Sequence, residues 1–219
     1  MTGLVRSVNL ARPRSEVGQG GHRTGIDKRA VECIEVFAPR EGHGHGSGVV
    51  GDLVGNARHH GGADKAVYAF SREELNWWER ELRRGLPDGT FGENLTTKGL
   101  DLESLRINQR LRVGDDVVLE VSIPRQPCAT FQRHLGEPGW TRRFTSHGRC
   151  GAYLRVRSPG VLRPGDAIDV LDPPPSHDID IMTAFAAAMG DRASAARVVD
   201  ARCLPMTYHE QLTRRLRGR

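Results

Sequence analysis

The sequence predicts a mainly β protein, a barrel or sandwich of short strands with a few helices and a short helical tail. Three observations carry this prediction. Stretches rich in β-branched and apolar residues recur at 3–10, 28–37, 65–70, 117–121, 152–156 and 168–171, with the length and patterning of strands. Gly-bearing turns separate them, and Val113-Gly114-Asp115 and Pro164-Gly165-Asp166 each launch an apolar run. A proline run, Asp172-Pro173-Pro174-Pro175, then divides the strand-rich part from an Ala-rich tail, because proline supplies no ladder donor and stiffens the chain.

The elements follow in order. Residues 3–10 and 28–37 read as strands, joined through a loop marked by Gly18, Gly20, Gly21 and Gly25. Glu41 to Gly48 holds four glycines and two histidines and reads as a flexible loop. A strand over Lys65–Phe70 runs into Ser71, with Glu74 three residues on, the pattern of a capping box. The helix it opens is predicted over Arg72–Arg84, with Leu75, Trp78 and Leu82 on one face and Gly85 and Pro87 ending it. Trp78 is assigned to the core, and Trp77 is left open. In the tail, helices are predicted over Ile179–Met189, 191–200 and 206–217. Residues 1–172 therefore read as one domain and 176–219 as a helical extension.

Composition narrows the class. A chain of 219 residues suits one domain with a short appendage. No apolar run approaches the roughly 20 residues of a spanning helix, and Met1–Leu10 lacks the apolar core of a signal peptide, so a cytoplasmic protein without a membrane partner is expected. The four cysteines, Cys33, Cys128, Cys150 and Cys203, form no C-x-x-C pair, which suits a reducing compartment and argues against a zinc ribbon or disulfide framework. Net charge is +5, and only Lys28, Lys65 and Lys98 among the 32 cationic residues are lysines. Arginine's planar fork suits phosphates and carboxylates. Only 5% of residues are aromatic, and without interleaved basic and aromatic positions a nucleic-acid interface has no support. No dinucleotide fingerprint, P-loop, nucleophile elbow or H-E-x-x-H appears.

Four segments can carry chemistry. In Ile123-Pro124-Arg125-Gln126-Pro127-Cys128, two prolines hold the backbone extended and present Cys128 at a strand end. A nearby cation such as Arg125 favours thiolate, the form that binds metals and acts as a nucleophile; a small buried residue at a strand-to-helix turn is the alternative. In His59-His60-Gly61-Gly62-Ala63-Asp64-Lys65, two glycines let backbone N–H groups converge on an anion, with Lys65 and Arg58 adding charge that Asp64 could orient. An ordinary glycine turn is the alternative, and adjacent histidines point apart on an extended chain. Phe91-Gly92-Glu93-Asn94-Leu95-Thr96 offers Glu93 and Asn94 to a heterocycle edge, or a turn closed by Asn94. His147-Gly148-Arg149-Cys150-Gly151 offers Arg149 to a phosphate, with Cys150 read as a structural cysteine, packed or partly exposed. His43 and His45 lack the carboxylate or cysteine cluster that a metal site needs.

These segments, in this order, resemble the MOSC family, named for the C-terminal domain of molybdenum cofactor sulfurase, and within it the stand-alone bacterial YiiM-type members. The resemblance rests on His60-Gly61-Gly62-Ala63-Asp64-Lys65-Ala66, Phe91 to Leu100, Gly114-Asp115 and Pro124-Arg125-Gln126-Pro127-Cys128, and covers about residues 3–172. It implies a β-barrel of the pyruvate-kinase-barrel type and a pterin-type molybdenum cofactor held through Cys128, both as metal ligand and as catalytic centre. His60, Gly61, Gly62, Lys65, Glu93, Asn94, Arg125 and Arg149 are then the expected cofactor contacts. The implied activity is reduction of N-hydroxylated small molecules, such as hydroxylaminopurines and amidoximes, with oxygen transferred to molybdenum. Electrons would come from an external flavin or iron–sulfur protein, since the chain shows no second redox centre. The alternative is a cofactor carrier or sulfur-handling module using Cys128 without reductase activity. A homodimer stays open. The tail contains none of the four segments and is expected to be dispensable for the cofactor.

Overall fold

A computed structural model describes residues 2–12, 24–39, 46–55 and 61–218. Strand β1 (Thr2–Ala11) buries Val5 and Val8 completely while Leu4 and Arg6 face outward. A register shift between Val5 and Ser7, against Thr97 and Thr96, lets it serve three partners. It pairs with β10 (Ala167–Val170) over Thr2–Leu4, with β2 (Lys28–Val31) over Val8–Ala11, and with β5 (Leu95–Lys98) between. The β1–β10 pairing closes a seven-stranded barrel in the order β1, β5, β4 (Val67–Ser71), β8 (Ala152–Ser158), β7 (Val117–Pro124), β6 (Arg110–Val113), β10. Only β4 and β5 run parallel. Closure pairs the edges that an open sheet would leave exposed, and it decides between barrel and sandwich.

The strand expected over 28–37 is two. After Val31 the chain kinks at the exposed Glu32 and Cys33, and β3 (Ile34–Val36) pairs instead with β9 (Gly160–Leu162) in a separate two-stranded sheet. The strand expected from Lys65 begins at Val67, because Ala63–Lys65 forms a 3-10 turn.

Helix α1 (Arg72–Leu82) starts as predicted, with the Ser71 side chain accepting from the Glu74 N–H. It ends two residues early, where Arg83 takes a left-handed conformation at φ 52° and donates to Glu79. Gly85 is not its cap. Trp78 is buried, while Trp77 lies partly exposed with its ring stacked on His147, centroids 3.8 Å apart.

Two short helices stand between β7 and β8 where no element was assigned: α2 (Ala129–Leu135) and α3 (Trp140–His147). Their buried residues Phe131 and Leu135, then Trp140 and Phe144, repeat at four-residue spacing. These rings close on Trp78 of α1 and on Phe91, with Trp78–Trp140 centroids at 4.5 Å and Phe91–Phe131 at 5.1 Å. The start of α2 is thereby fixed against the barrel.

Helices α4 (Ile181–Met189), α5 (Arg192–Ala201) and α6 (Met206–Arg217) follow the proline run. Asp180 and Asp191 cap α4 and α5, accepting from the Thr183 and Ser194 N–H groups. The tail shares the barrel's apolar core through Ile181, Phe185, Val198 and Leu212. Backbone bonds from Ile107 to Ile179 and from Ile181 to Leu105 tie it down. No helix among the described residues is long and apolar enough to cross a membrane.

A cationic, tyrosine-walled site at Cys128

Strand β7 ends at Pro124, which still pairs with Ala152 of β8. The chain then leaves the ladder, and Cys128 sits in extended conformation at the N-cap of α2, its carbonyl accepting from Gln132. Cys128 is partly exposed. Arg125 is almost fully buried, 6% exposed. Its Nη1 donates to the Gln126 carbonyl at 2.9 Å, and its Nη2 lies 3.9 Å from the Cys128 Sγ. The guanidinium lies over the rings of Tyr68 at 5.7 Å and Phe131 at 5.4 Å, as a weakly hydrated cation prefers. Burial opposes its charge, but Tyr153, Cys128 and Tyr68 outweigh that and hold its pKa above the usual arginine value.

Lys65 closes the 3-10 turn, its N–H donating to Gly62. Its Nζ lies 5.7 Å from the Tyr153 ring centroid and 5.4 Å from that of Tyr208 in α6. Burial and the Arg125 charge lower its pKa to about 8, against the opposing pull of Asp64 and Cys128. The rings of Tyr68 and Tyr153 lie 5.1 Å apart. All three tyrosines of the chain therefore gather around Arg125 and Lys65.

The other expected contacts are placed differently. Gly61 and Gly62 have φ of 82° and 85°, but they accommodate the chain itself: a Cβ at Gly61 would meet the Gly46 carbonyl at 2.3 Å, and the Gly62 N–H donates to that same oxygen. Asp64 accepts from Arg155 Nε at 2.7 Å. His60, with His59 and Arg58, lies outside the described residues, as do His43, His45 and His22. Glu93 is fully buried; its carboxylate accepts from the Gly89 and Phe91 N–H groups and from the Thr96 hydroxyl. Burial outweighs these bonds and raises its pKa to about 7. Asn94 accepts from the Tyr68 N–H and donates to Asn9 and Asp52. Asp52 in turn holds Lys28 in a buried ion pair at 2.6 Å. The side chains of Glu93 and Asn94 thus meet protein partners: Glu93 fixes the turn into β5, and Asn94 fixes the backbone of β4 at Tyr68.

Arg149 does not join Arg125 and Lys65. It bonds Glu74, Asp101 at 2.7 Å and Glu103 at 3.3 Å, while His147 bonds the other oxygen of Glu74 at 2.6 Å. Three carboxylates occupy this one guanidinium. The network straps the 148–151 turn: Glu103 accepts from the Gly151 N–H, and the Tyr68 hydroxyl donates to the Cys150 carbonyl. Cys150 is fully buried, and burial pushes its thiol well above the ordinary range, which decides for the packed alternative. Cys128 is thus the thiol beside the two cations.

Sequence reasoning missed Tyr68, Tyr153 and Tyr208. Their scarcity was a usable signal for the two on strands, but nothing local connects Tyr208 with the barrel. Two surface concavities, of about 400 and 480 Å³, are lined from α1, and from α1 and α3; neither is lined by Cys128, Arg125 or Lys65. No group of three or more His, Cys, Asp or Glu side chains converges on a metal position among the described residues.

The family model described as the MOSC domain matches residues 56–169, more than half of the chain. The chain belongs to the MOSC family. It is similar to YflK of Bacillus subtilis, 35% identical over 168 residues that make up 76% of this chain and 72% of YflK. It is also similar to a protein described as a reductase in Gibberella moniliformis, 35% identical over 132 residues, 58% of this chain and 23% of that one. The crystal structure of YiiM from Geobacillus stearothermophilus superposes with a TM-score of 0.76 at 24% identity, covering 98% of this chain and 99% of that one. Cys128, Arg125 and Lys65 all lie inside the matched MOSC region of this MOSC protein, and its fold is that of the YiiM structure.

Proposed function

We propose that this MOSC protein holds a molybdenum cofactor through Cys128 and reduces N-hydroxylated small molecules. The observation that carries the reading is the pairing of one partly exposed thiol with the buried Arg125 guanidinium 3.9 Å away. The donor set fits such a group. A thiolate is the soft ligand that molybdenum prefers. With no protein cluster for a bare ion among the described residues, a metal that brings most of its own ligands is the natural occupant.

When bound, the cofactor supplies the two-electron chemistry that converts N–OH to N–H and water, drawing electrons from an external flavin or iron–sulfur protein. The residues of the chain bind and orient. Arg125 and Lys65 offset the negative charge of the cofactor's phosphate and sulfur groups. The rings of Tyr68, Tyr153 and Tyr208 shield those cations from water, which strengthens their hold. Lys65 Nζ, with a pKa of about 8, can release and regain a proton near neutral pH, as protonation of the departing oxygen requires. The MOSC match and the reductase-named relative support an oxidoreductase.

The test is elemental analysis of the chain expressed in a cofactor-competent host, together with reduction of an amidoxime by a chemical electron donor. One molybdenum per chain with turnover is expected. Molybdenum without turnover would favour cofactor delivery, and a metal-free chain would sink the reading.

A further inference from the structure

The Lys65 amine has a partner from an unexpected part of the chain. Tyr208 belongs to α6, more than 140 residues downstream of Lys65 and beyond the proline run. Its ring centroid nevertheless lies 5.4 Å from Lys65 Nζ, on a par with the barrel residue Tyr153 at 5.7 Å. Buried Leu212, one helical turn on, anchors the same face of α6.

A second route ties the same two regions together. Asn108, in left-handed conformation at φ 68°, donates through Nδ2 to the Cys203 carbonyl at 3.0 Å. Cys203 lies in the link between α5 and α6. The Oδ1 of Asn108 accepts from Arg155 Nη1 at 3.0 Å, and Arg155 Nε donates to Asp64 at 2.7 Å. Asp64 is the neighbour of Lys65. The extension therefore reaches one short turn of the barrel by an aromatic contact and by a polar relay.

We propose that the C-terminal extension is a wall of the Cys128 site and that Tyr208 is the positioning residue that holds the Lys65 ammonium between two aromatic faces. The site is completed only when α6 docks. Tyr208 acts through its ring: a cation over an aromatic face gains about 0.5–1 kcal/mol at exposed sites and more when desolvated. The anion-holding role of Lys65 rests on the function proposed above, whereas its placement by Tyr208 does not.

The chain's lysine content makes the placement measurable. Only Lys28, Lys65 and Lys98 are present, so ¹³C-methylation of the full chain yields three side-chain NMR signals, and Lys65→Arg identifies one of them. Flanked by two ring faces, the Lys65 methyl proton signal is expected upfield of that of exposed Lys98 and with restricted motion. Tyr208→Phe keeps the ring and should leave signal and order as in wild type. Tyr208→Leu keeps apolar bulk without a ring, and should move the signal toward Lys98 and loosen it. Met206→Ala, on the exposed start of the same helix, should change nothing. A Lys65 signal identical in wild type and Tyr208→Leu overturns the placement. Molybdenum retained per chain tests the wall: a two- to fivefold loss is expected in Tyr208→Leu and none in Tyr208→Phe, in line with about 0.5–1 kcal/mol. Equal retention in a Tyr208→Leu chain whose Lys65 signal has moved overturns the wall. Should the wild-type chain hold no molybdenum, the functional reading fails, and the NMR comparison still decides the placement.

Discussion

The Arg125 guanidinium lies 3.9 Å from the Cys128 sulfur and within cation–π distance of the rings of Tyr68 and Phe131. Burial and these contacts fix the cation before any ligand arrives, so a negative group at Cys128 meets a charge that needs no reorganisation. Phe131 couples the site to the aromatic core, because it also packs on Phe91 and Trp140.

Cys128→Ala should abolish bound molybdenum while leaving the fold intact. Its side chain is partly exposed and makes no capping bond to α2, so little packing is lost. Metal analysis and circular dichroism on the purified variant decide this. Wild-type metal content would remove Cys128 from the site.

Arg125→Lys should not behave conservatively. An ammonium cannot reproduce the fork that reaches both Gln126 and Cys128. Loss of one charge-assisted contact of roughly 1.5–3 kcal/mol weakens cofactor retention by about tenfold to a hundredfold. Retention measured during dialysis, equal to wild type, would refute the contact.

Lys65 gives that retention a pH dependence. Its positive charge is lost as pH rises through about 8, so retention should fall on the alkaline side. Arg125, Asp64 and Cys128 set this value, with burial as the largest cause. Lys65→Met should hold the cofactor more weakly at pH 7 and lack the alkaline fall. A wild-type profile flat from pH 7 to 9 would contradict this assignment.

Arg149→Ala should cost stability and not cofactor. It strips the shared cation from Glu74, Asp101 and Glu103. The side chain is 31% exposed, so a loss of about 1–3 kcal/mol is expected in place of the larger values of fully buried pairs. Burial would raise the Glu74 carboxyl, but His147 and Arg149 hold it below the usual range. That contribution is present above the unfolded pKa and is lost as pH falls through the folded one. The variant should therefore show a weaker acid-side decline in urea denaturation. An unchanged midpoint with lost molybdenum would return Arg149 to the anion site.

Glu93 has the opposite sign. Burial raises its pKa to about 7, so its contribution is complete below the unfolded carboxylate pKa and is lost as pH rises through about 7. Relative to Glu93→Gln, wild type should lose stability between pH 4.5 and 7, by about 1–3 kcal/mol. Parallel stability profiles for the two proteins would show that Glu93 stays ionised throughout.

The sequence by itself determined what nearest-neighbour rules control. Alternation produced most strands; Ser71 and Glu74 marked the start of α1, and the prolines around Arg125 presented Cys128 at a strand end. Cys150 read as structural because no rigid frame presents it, but only the fold decided its burial. Side-chain partners were not legible, since they are set by contacts across tens of residues. Glu93, Asn94 and Arg149 stood in motif-bearing segments, yet folding gave them protein partners: backbone N–H groups for Glu93, the β4 strand for Asn94, and carboxylates for Arg149. Buried polar groups must be satisfied wherever the chain places them, and local sequence does not say by whom. Barrel closure likewise needed the β1–β10 register, and Tyr208 reaches Lys65 only because α6 docks on the barrel through the shared core. A cation meets a ring more than 140 residues away through tertiary packing, for which no periodicity in the sequence encodes a distance.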